Sequence, residues 1–351
     1  MSSTLRHMVG QLLIVGLEGP ELTPTERAWL KLIRPGGVIL FRRNIEEAAQ
    51  TIQLLRETTE IAVAPTSRCV DLEGGLVDRL RDLIAPMPSP AEVYATGNPA
   101  LFRRHGRLIA QEARSLGFNS VFAPVLDLAH SESATVMRTR AVSANPAEVT
   151  AYASAFLEGF AAEGILGCGK HFPGLGGGRL DSHHAMPVIQ RCWEEMWEQD
   201  IAPFRALKAS LPMIMVAHAA YPQASGSNTP ASVSPFWISE ILRRRVRFTG
   251  LIISDDMEMG GILTQRSMEC AAVEAIAAGI DILEICRDPA LILRAYEALL
   301  SEAETSPSFR RRVQQAARRI TRSKASLGDM PRAPLPRRLE NLRRQVRELL
   351  H

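Results

Sequence analysis

Between Cys168 and Pro187 the chain reads CGKHFPGLGGGRLDSHHAMP, which sets Lys170, His171, Asp181, His183 and His184 around a run of glycines straight after an apolar segment. Gly and Pro at that density hold neither helix nor sheet, so FPGLGGGRL is a long loop whose glycines allow hinge motion. Asp181 and His183 ride on it. An Asp two residues from a His can hydrogen-bond the ring, fix its tautomer and favour the imidazolium, which makes a competent general acid near neutral pH. A metal site is the competing use of His171, His183 and His184, but their spacing matches none of the zinc patterns, and no metal or other cofactor is expected. A second candidate is the pair Asp255 and Asp256 after LIIS. Neighbours in a strand face opposite ways, so one carboxylate is expected in a pocket while the other anchors backbone or an adjacent side chain. A lone buried carboxylate with no metal cage suits a nucleophile or an electrostatic stabiliser of developing positive charge. Capping of the following helix is the structural alternative for both.

These groups need elements to hold them. Short β-rich runs occur at 12–17, 36–41, 68–74, 119–128, 165–172, 213–221, 250–256 and 280–286, separated by amphipathic segments such as NIEEAAQTIQLLRETTE and PALFRRHGRLIAQEARSLG. Strands that are apolar nearly throughout and alternate with helices indicate a parallel sheet buried on both faces. Eight such units predict an α/β fold closed as a (β/α)₈ TIM-type barrel, one catalytic domain over residues 1–325. A doubly wound open sheet is the rival, weakened because no Gly-rich dinucleotide fingerprint opens a helix after the first strand. Residues 326–351 are a Pro-broken connector, DMPRAPLPRR, followed by a helix with Leu339, Leu342, Val346 and Leu349 on one face. In a barrel the active site lies at the carboxyl ends of the strands, where this chain collects Asp71, Glu73, Lys170, His171, His218, Asp255 and Asp256.

The totals restrict the partners. The chain has 351 residues, 23% of them charged, with a formal net charge of +3, which leaves no strong electrostatic footprint for nucleic acid and makes a neutral or mildly anionic small molecule as plausible a partner as any. Five cysteines without paired spacing, several inside apolar runs, fit a reduced compartment. The first apolar run is interrupted by Gln11 and ended by Glu18 with no small-residue cleavage site, and no apolar stretch approaches the roughly 20 residues that cross a bilayer. The expectation is a cytoplasmic protein, monomeric or weakly dimeric, without a membrane partner.

An ordered series of segments then resembles one family. GGVILFRRN, VDLEGGLVDRL, APVLDL, KHFPGLGGGRLDSHHAMP, MVAHAAYP and GLIISDDMEMGG are similar, in order and up to about residue 325, to the bacterial β-N-acetylglucosaminidases of glycoside hydrolase family 3, the NagZ type. That resemblance implies a TIM-type barrel without the second, sandwich-like domain of many β-glucosidases of the family. It also implies retention through a covalent glycosyl-enzyme, with Asp255 as nucleophile. Most retaining glycosidases place a second carboxylic acid about 5–5.5 Å away. The resemblance implies instead that His183 is the acid-base, supported by Asp181, and that Asp71, Arg79, Arg140, Lys170 and His171 contact the sugar.

Two positions depart from the family pattern. Leu76 stands where the family usually has Arg in EGGRV, and Leu175 where it has His in KHFPGHG. Both changes remove polarity near the expected pocket, on what would be the aglycone side. The expected activity is exo-β-N-acetylhexosaminidase, releasing terminal N-acetylglucosamine from muropeptides in peptidoglycan recycling. Alternatives are a family 3 β-glucosidase, a phosphorylase that uses phosphate in place of water, or a catalytically silent sugar-binding protein on the same barrel.

Overall fold

The computed structural model describes residues 4–62, 65–178, 186–325, 327–328, 330–331 and 333–350. Eight parallel strands close a barrel in chain order: β1 (Leu13–Gly16), β2 (Gly37–Leu40), β3 (Ser67–Val70), β4 (Ser120–Val121), β5 (Leu166–Phe172), β6 (Met213–Val216), β7 (Leu251–Asp256) and β8 (Ile282–Ile285). Each pairs with its successor, and β8 returns to β1 with Leu13 opposite Leu283, so no edge is left open. The barrel interior and the strand–helix interface are filled by Val, Ile and Leu that are almost wholly buried, which is why the strands are apolar throughout rather than alternating. The expected barrel is therefore the observed one, and the open-sheet rival is ruled out.

Several strands end earlier than their apolar runs. The run 119–128 ladders only at Ser120–Val121, because Pro124 has no N–H to donate; the chain rejoins the sheet where Leu126 N–H donates to the Lys170 carbonyl at 2.6 Å. The run 68–74 divides into β3 and a short segment, Leu72–Gly74, that turns back in antiparallel pairing with Val77–Asp78. Its turn uses Gly74 at φ 91° and Gly75 at φ 58°, and a Cβ on Gly74 would lie 2.3 Å from the Pro88 carbonyl. This hairpin carries Glu73 and leads into Arg79 beside the barrel mouth.

Helix starts are marked by a repeated device. Thr23-Pro24, Ser89-Pro90, Asn98-Pro99, Asn145-Pro146, Asp288-Pro289 and Ser306-Pro307 each put a side-chain acceptor at the cap and a proline in the first turn, and every cap accepts a backbone N–H two or three residues on. The helix Pro336–Arg347 lies against Pro99–Ser115, with Leu339, Leu342 and Val346 buried in the main core.

At the amino-terminal end of the barrel, Asp281 is fully buried just before β8. Arg243 and the Ile252 N–H (3.2 Å) donate to Oδ2, while Arg312 (2.7 Å) and Arg319 (3.0 Å) donate to Oδ1.

Candidate active site

At the opposite end, one cavity is bordered by Asp71, Arg79, Arg140, Lys170, His171 and Asp255. Residues read from four separate segments thus meet. Asp71 directly follows β3, Lys170 and His171 close β5, and Asp255 closes β7. Asp181, His183 and His184 lie outside the described residues.

Charge in the cavity is organised around Lys170. Its buried ammonium donates to Asp71 Oδ1 at 2.7 Å and lies 2.6 Å from Glu73 Oε1. Arg140 grips Glu73 with Nε and Nη2, both at 2.8 Å, a fork-to-fork pair of the strong kind. Burial by itself would raise the Glu73 carboxyl, but Arg140 and Lys170 outweigh it and hold Glu73 well below the usual carboxylate range. Burial likewise opposes the Lys170 charge, and Asp71 and Glu73 more than restore it, so its affinity for the proton rises. Glu73, Lys170 and Arg140 therefore stay ionised. Arg140 has Nε and Nη2 committed to Glu73, and its Nη1 makes no hydrogen bond among the described residues. Arg79 is looser: its Nη2 is 3.9 Å from Asp71 Oδ2, its Nε has no partner among the described residues, and its guanidinium lies over the Phe41 ring.

His171 is oriented by a residue that the sequence reading did not single out. Asp127 Oδ2 accepts from the His171 backbone N–H at 3.1 Å and contacts Nδ1 at 2.6 Å, while Oδ1 accepts from the Leu175 N–H at 2.6 Å. With Nδ1 engaged, Nε2 is the ring nitrogen left for a ligand. The only sequence signal was an acidic residue at the end of APVLDL, one of several such strand-end acids.

The two adjacent aspartates diverge. Asp255 Oδ1 accepts from the Asp256 N–H at 2.9 Å, and among the described residues Oδ2 has no donor. Burial raises the Asp255 carboxyl, but His171, His218 and Lys170 nearby outweigh burial, and the group lies below its ordinary value. It is an ionised oxygen on the wall of the cavity, the requirement for a carboxylate nucleophile. Asp256 Oδ1 anchors backbone, accepting from Glu258 N–H at 3.0 Å and Cys286 N–H at 3.3 Å, and burial pushes its carboxyl up to about 7. Strict alternation nevertheless fails here: Asp256 also borders the cavity, and the β7–β8 register shifts between Ile282 and Glu284 at this point. His218, buried on the segment after β6, contacts Ser232 Oγ at 2.7 Å and the Asp256 carbonyl at 3.0 Å, which fixes the end of β7.

Two further side chains on the cavity wall are Glu284 from β8 and Cys286 just after it, and a single Glu inside ILEIC does not disturb the reading of a strand. Leu175 also borders the cavity, whereas Leu76 is exposed at the hairpin turn. Among the described residues no group of three or more His, Cys, Asp or Glu is placed to hold a metal ion. No described helix is long and apolar enough to cross a membrane, and all five cysteines are unpaired.

The geometry has close counterparts. Residues 4–323 match the Glycosyl hydrolase family 3 N terminal domain. The Beta-hexosaminidase of Idiomarina loihiensis is 37% identical over 302 residues, which span 85% of this chain and 90% of that protein. Among solved structures, a glycoside hydrolase family 3 β-N-acetylglucosaminidase from Paenibacillus sp. str. FPU-7 superposes with a TM-score of 0.91 at 28% identity, covering 99% of this chain and 69% of that one. A β-N-acetylhexosaminidase from Beutenbergia cavernae gives a TM-score of 0.85 at 26% identity, covering 92% and 99%. A family match running from Thr4 to Ser323, on a barrel whose mouth gathers an ionised aspartate with Asp71, Arg140, Lys170 and His171, makes the chain a member of glycosyl hydrolase family 3 and a glycoside hydrolase.

Proposed function

We propose that the chain is a retaining exo-β-N-acetylhexosaminidase that removes terminal β-linked N-acetylglucosamine from muropeptides during cytoplasmic peptidoglycan recycling. The observation that carries this reading is Asp255: an ionised carboxylate with an oxygen unengaged among the described residues, in the same cavity as Asp71, Lys170 and His171. Asp71 accepts from a sugar hydroxyl, and Lys170, His171 Nε2, Arg79 and Arg140 Nη1 supply donors for hydroxyl or amide oxygen. In the first step an Asp255 oxygen bonds to the anomeric carbon as the glycosidic C–O bond breaks, and His183, supported by Asp181, gives its proton to the leaving oxygen. In the second, His183 takes a proton from water, the water oxygen bonds to the anomeric carbon, and Asp255 leaves as the carboxylate. Leu175, on the cavity wall, makes that side less polar than the family pattern.

Turnover of aryl β-N-acetylglucosaminide against aryl β-glucoside, each with and without phosphate, together with release of N-acetylglucosamine from muropeptides, tests the proposal. Preference for the N-acetylated sugar, indifference to phosphate and release from muropeptides are expected. Preference for glucoside, a phosphate requirement, or intact muropeptides would overturn the corresponding part.

A further inference from the structure

Glu284 is a second acid in the cavity, and the reaction outlined above does not use it. It lies mid-strand in β8, opposite Ile14 on β1 and Asp256 on β7. Glu284 and Cys286, two positions apart, both border the cavity, as alternation along a strand requires for residues on its inner face, and Glu284 is 3% exposed there beside Asp71 and Asp255. Its Oε1 accepts from the Cys286 thiol at 3.0 Å. Its Oε2 is buried without a partner among the described residues. Native interiors rarely leave such an atom unsatisfied, and those that do commonly await something the bare chain lacks.

The surroundings decide what Oε2 offers. Among the described residues no Lys or Arg forms an ion pair with Glu284, since the ammonium of Lys170 is taken by Asp71 and Glu73. The groups most strongly coupled to it are Asp71 and Cys69 from the β3 segment, Cys168 from β5, Asp255 and Asp256 from β7, and Cys286 beside it. The basic groups that border the same cavity are turned to other acids: Lys170 to Asp71 and Glu73, Arg140 to Glu73, Arg79 towards Asp71, and His171 Nδ1 to Asp127. Burial first, and then the negative charge of Asp71 and Asp256, raise the Glu284 carboxyl well above its ordinary value. A carboxylic acid kept neutral in this way is a hydrogen-bond donor. Oε1 already accepts from Cys286, so the proton belongs on Oε2, the oxygen without a partner.

We propose that Glu284 is a specificity-determining contact of the sugar site: its carboxyl donates to a substrate hydroxyl that in turn donates to Asp71. A hydroxyl is suited to this because it gives one hydrogen bond and accepts another, whereas Asp71 and Asp255 can only accept. Glu284 and Asp71 make no direct hydrogen bond, and the charge of Asp71 is felt at Glu284, which leaves room for a bridging hydroxyl. The inference rests on the sugar-hydrolase reading above and adds a residue to its recognition set.

The test compares wild type, Glu284→Gln and Glu284→Leu on the aryl β-N-acetylglucosaminide and on its 3-, 4- and 6-deoxy analogues, with thermal melts as the folding control. Gln keeps an N–H donor and is expected to hold kcat/KM within about threefold of wild type, whereas Leu removes the donor and is expected to lose on the order of 10- to 100-fold. On one deoxy analogue, the one lacking the hydroxyl that Glu284 meets, wild type and Glu284→Leu should converge. A folded Glu284→Leu protein that matches wild type on the parent sugar, or that loses equally on every deoxy analogue, would overturn the proposal. If Glu284→Leu does not fold, competitive inhibition by N-acetylglucosamine across pH decides between wild type and Glu284→Gln: binding should weaken at alkaline pH only in wild type, and identical profiles would refute it. Should wild type prefer the aryl glucoside, the N-acetylhexosaminidase reading fails while the Glu284 series still runs on deoxy glucosides.

Discussion

Asp281 and Asp255 are carboxylates at opposite ends of one barrel, and they are treated in opposite ways. Asp281, at the foot of β8, receives three guanidinium groups and a backbone N–H. Every useful lone pair is taken, so it can only hold the barrel floor together. Asp255, at the top of β7, has one backbone donor and an oxygen left over among the described residues. Its charge is favoured by groups that lie near without gripping it, His171, His218 and Lys170. A saturated buried charge is structure, whereas a buried charge with spare acceptor capacity is available for chemistry, and this separates the two aspartates more sharply than burial does.

Removing each charge should therefore fail differently. If Asp255 is the nucleophile, as proposed, Asp255→Asn should lower turnover of the aryl N-acetylglucosaminide by on the order of 10⁴-fold, while its melting temperature stays close to wild type. Near wild-type turnover would collapse the contrast. Asp281→Asn leaves Arg243, Arg312 and Arg319 facing a neutral group, and loss of one partner of such a buried cluster costs about 3–5 kcal/mol. Urea melts should show that loss, with kcat/KM of the folded fraction little changed; reduced activity at unaltered stability would mean that the two ends are coupled.

The smallest effect sharpens the comparison within the mouth. Asp256 has a folded-state value of about 7, above the ~3.9 of an unfolded Asp. Between those values the folded chain keeps a proton that the unfolded chain has lost. The stabilising contribution is thus fully present below about pH 4 and is lost as pH rises through about 7. Urea unfolding of wild type and Asp256→Asn at a series of pH values should show the wild type losing stability relative to the variant across that window. Parallel profiles would mean that Asp256 is ionised, like its neighbour.

The barrel was legible because parallel strands buried on both faces leave long apolar runs, and because helix starts carry caps and prolines. What misled the strand ends was the same apolarity: β4 and β6 stop laddering while their hydrophobic runs continue into the mouth. The strand-end acids and the Lys170–His171 pair could be read from position alone. Asp127, Glu284 and the grip of Arg140 on Glu73 could not, since each depends on residues far apart in the chain meeting across the barrel; Arg140 and Glu73 are 67 positions apart. Spare hydrogen-bonding capacity, which distinguishes Asp255 from Asp281, is a property of three-dimensional neighbours and has no signature in the letters.

Incubation with a fluorinated N-acetylglucosaminyl substrate that slows the second step, followed by proteolysis and mass analysis, tests the central claim most directly. One sugar attached to the peptide carrying Asp255 is the expected result. An active enzyme that gains no adduct, or that carries it on another residue, would contradict the assignment.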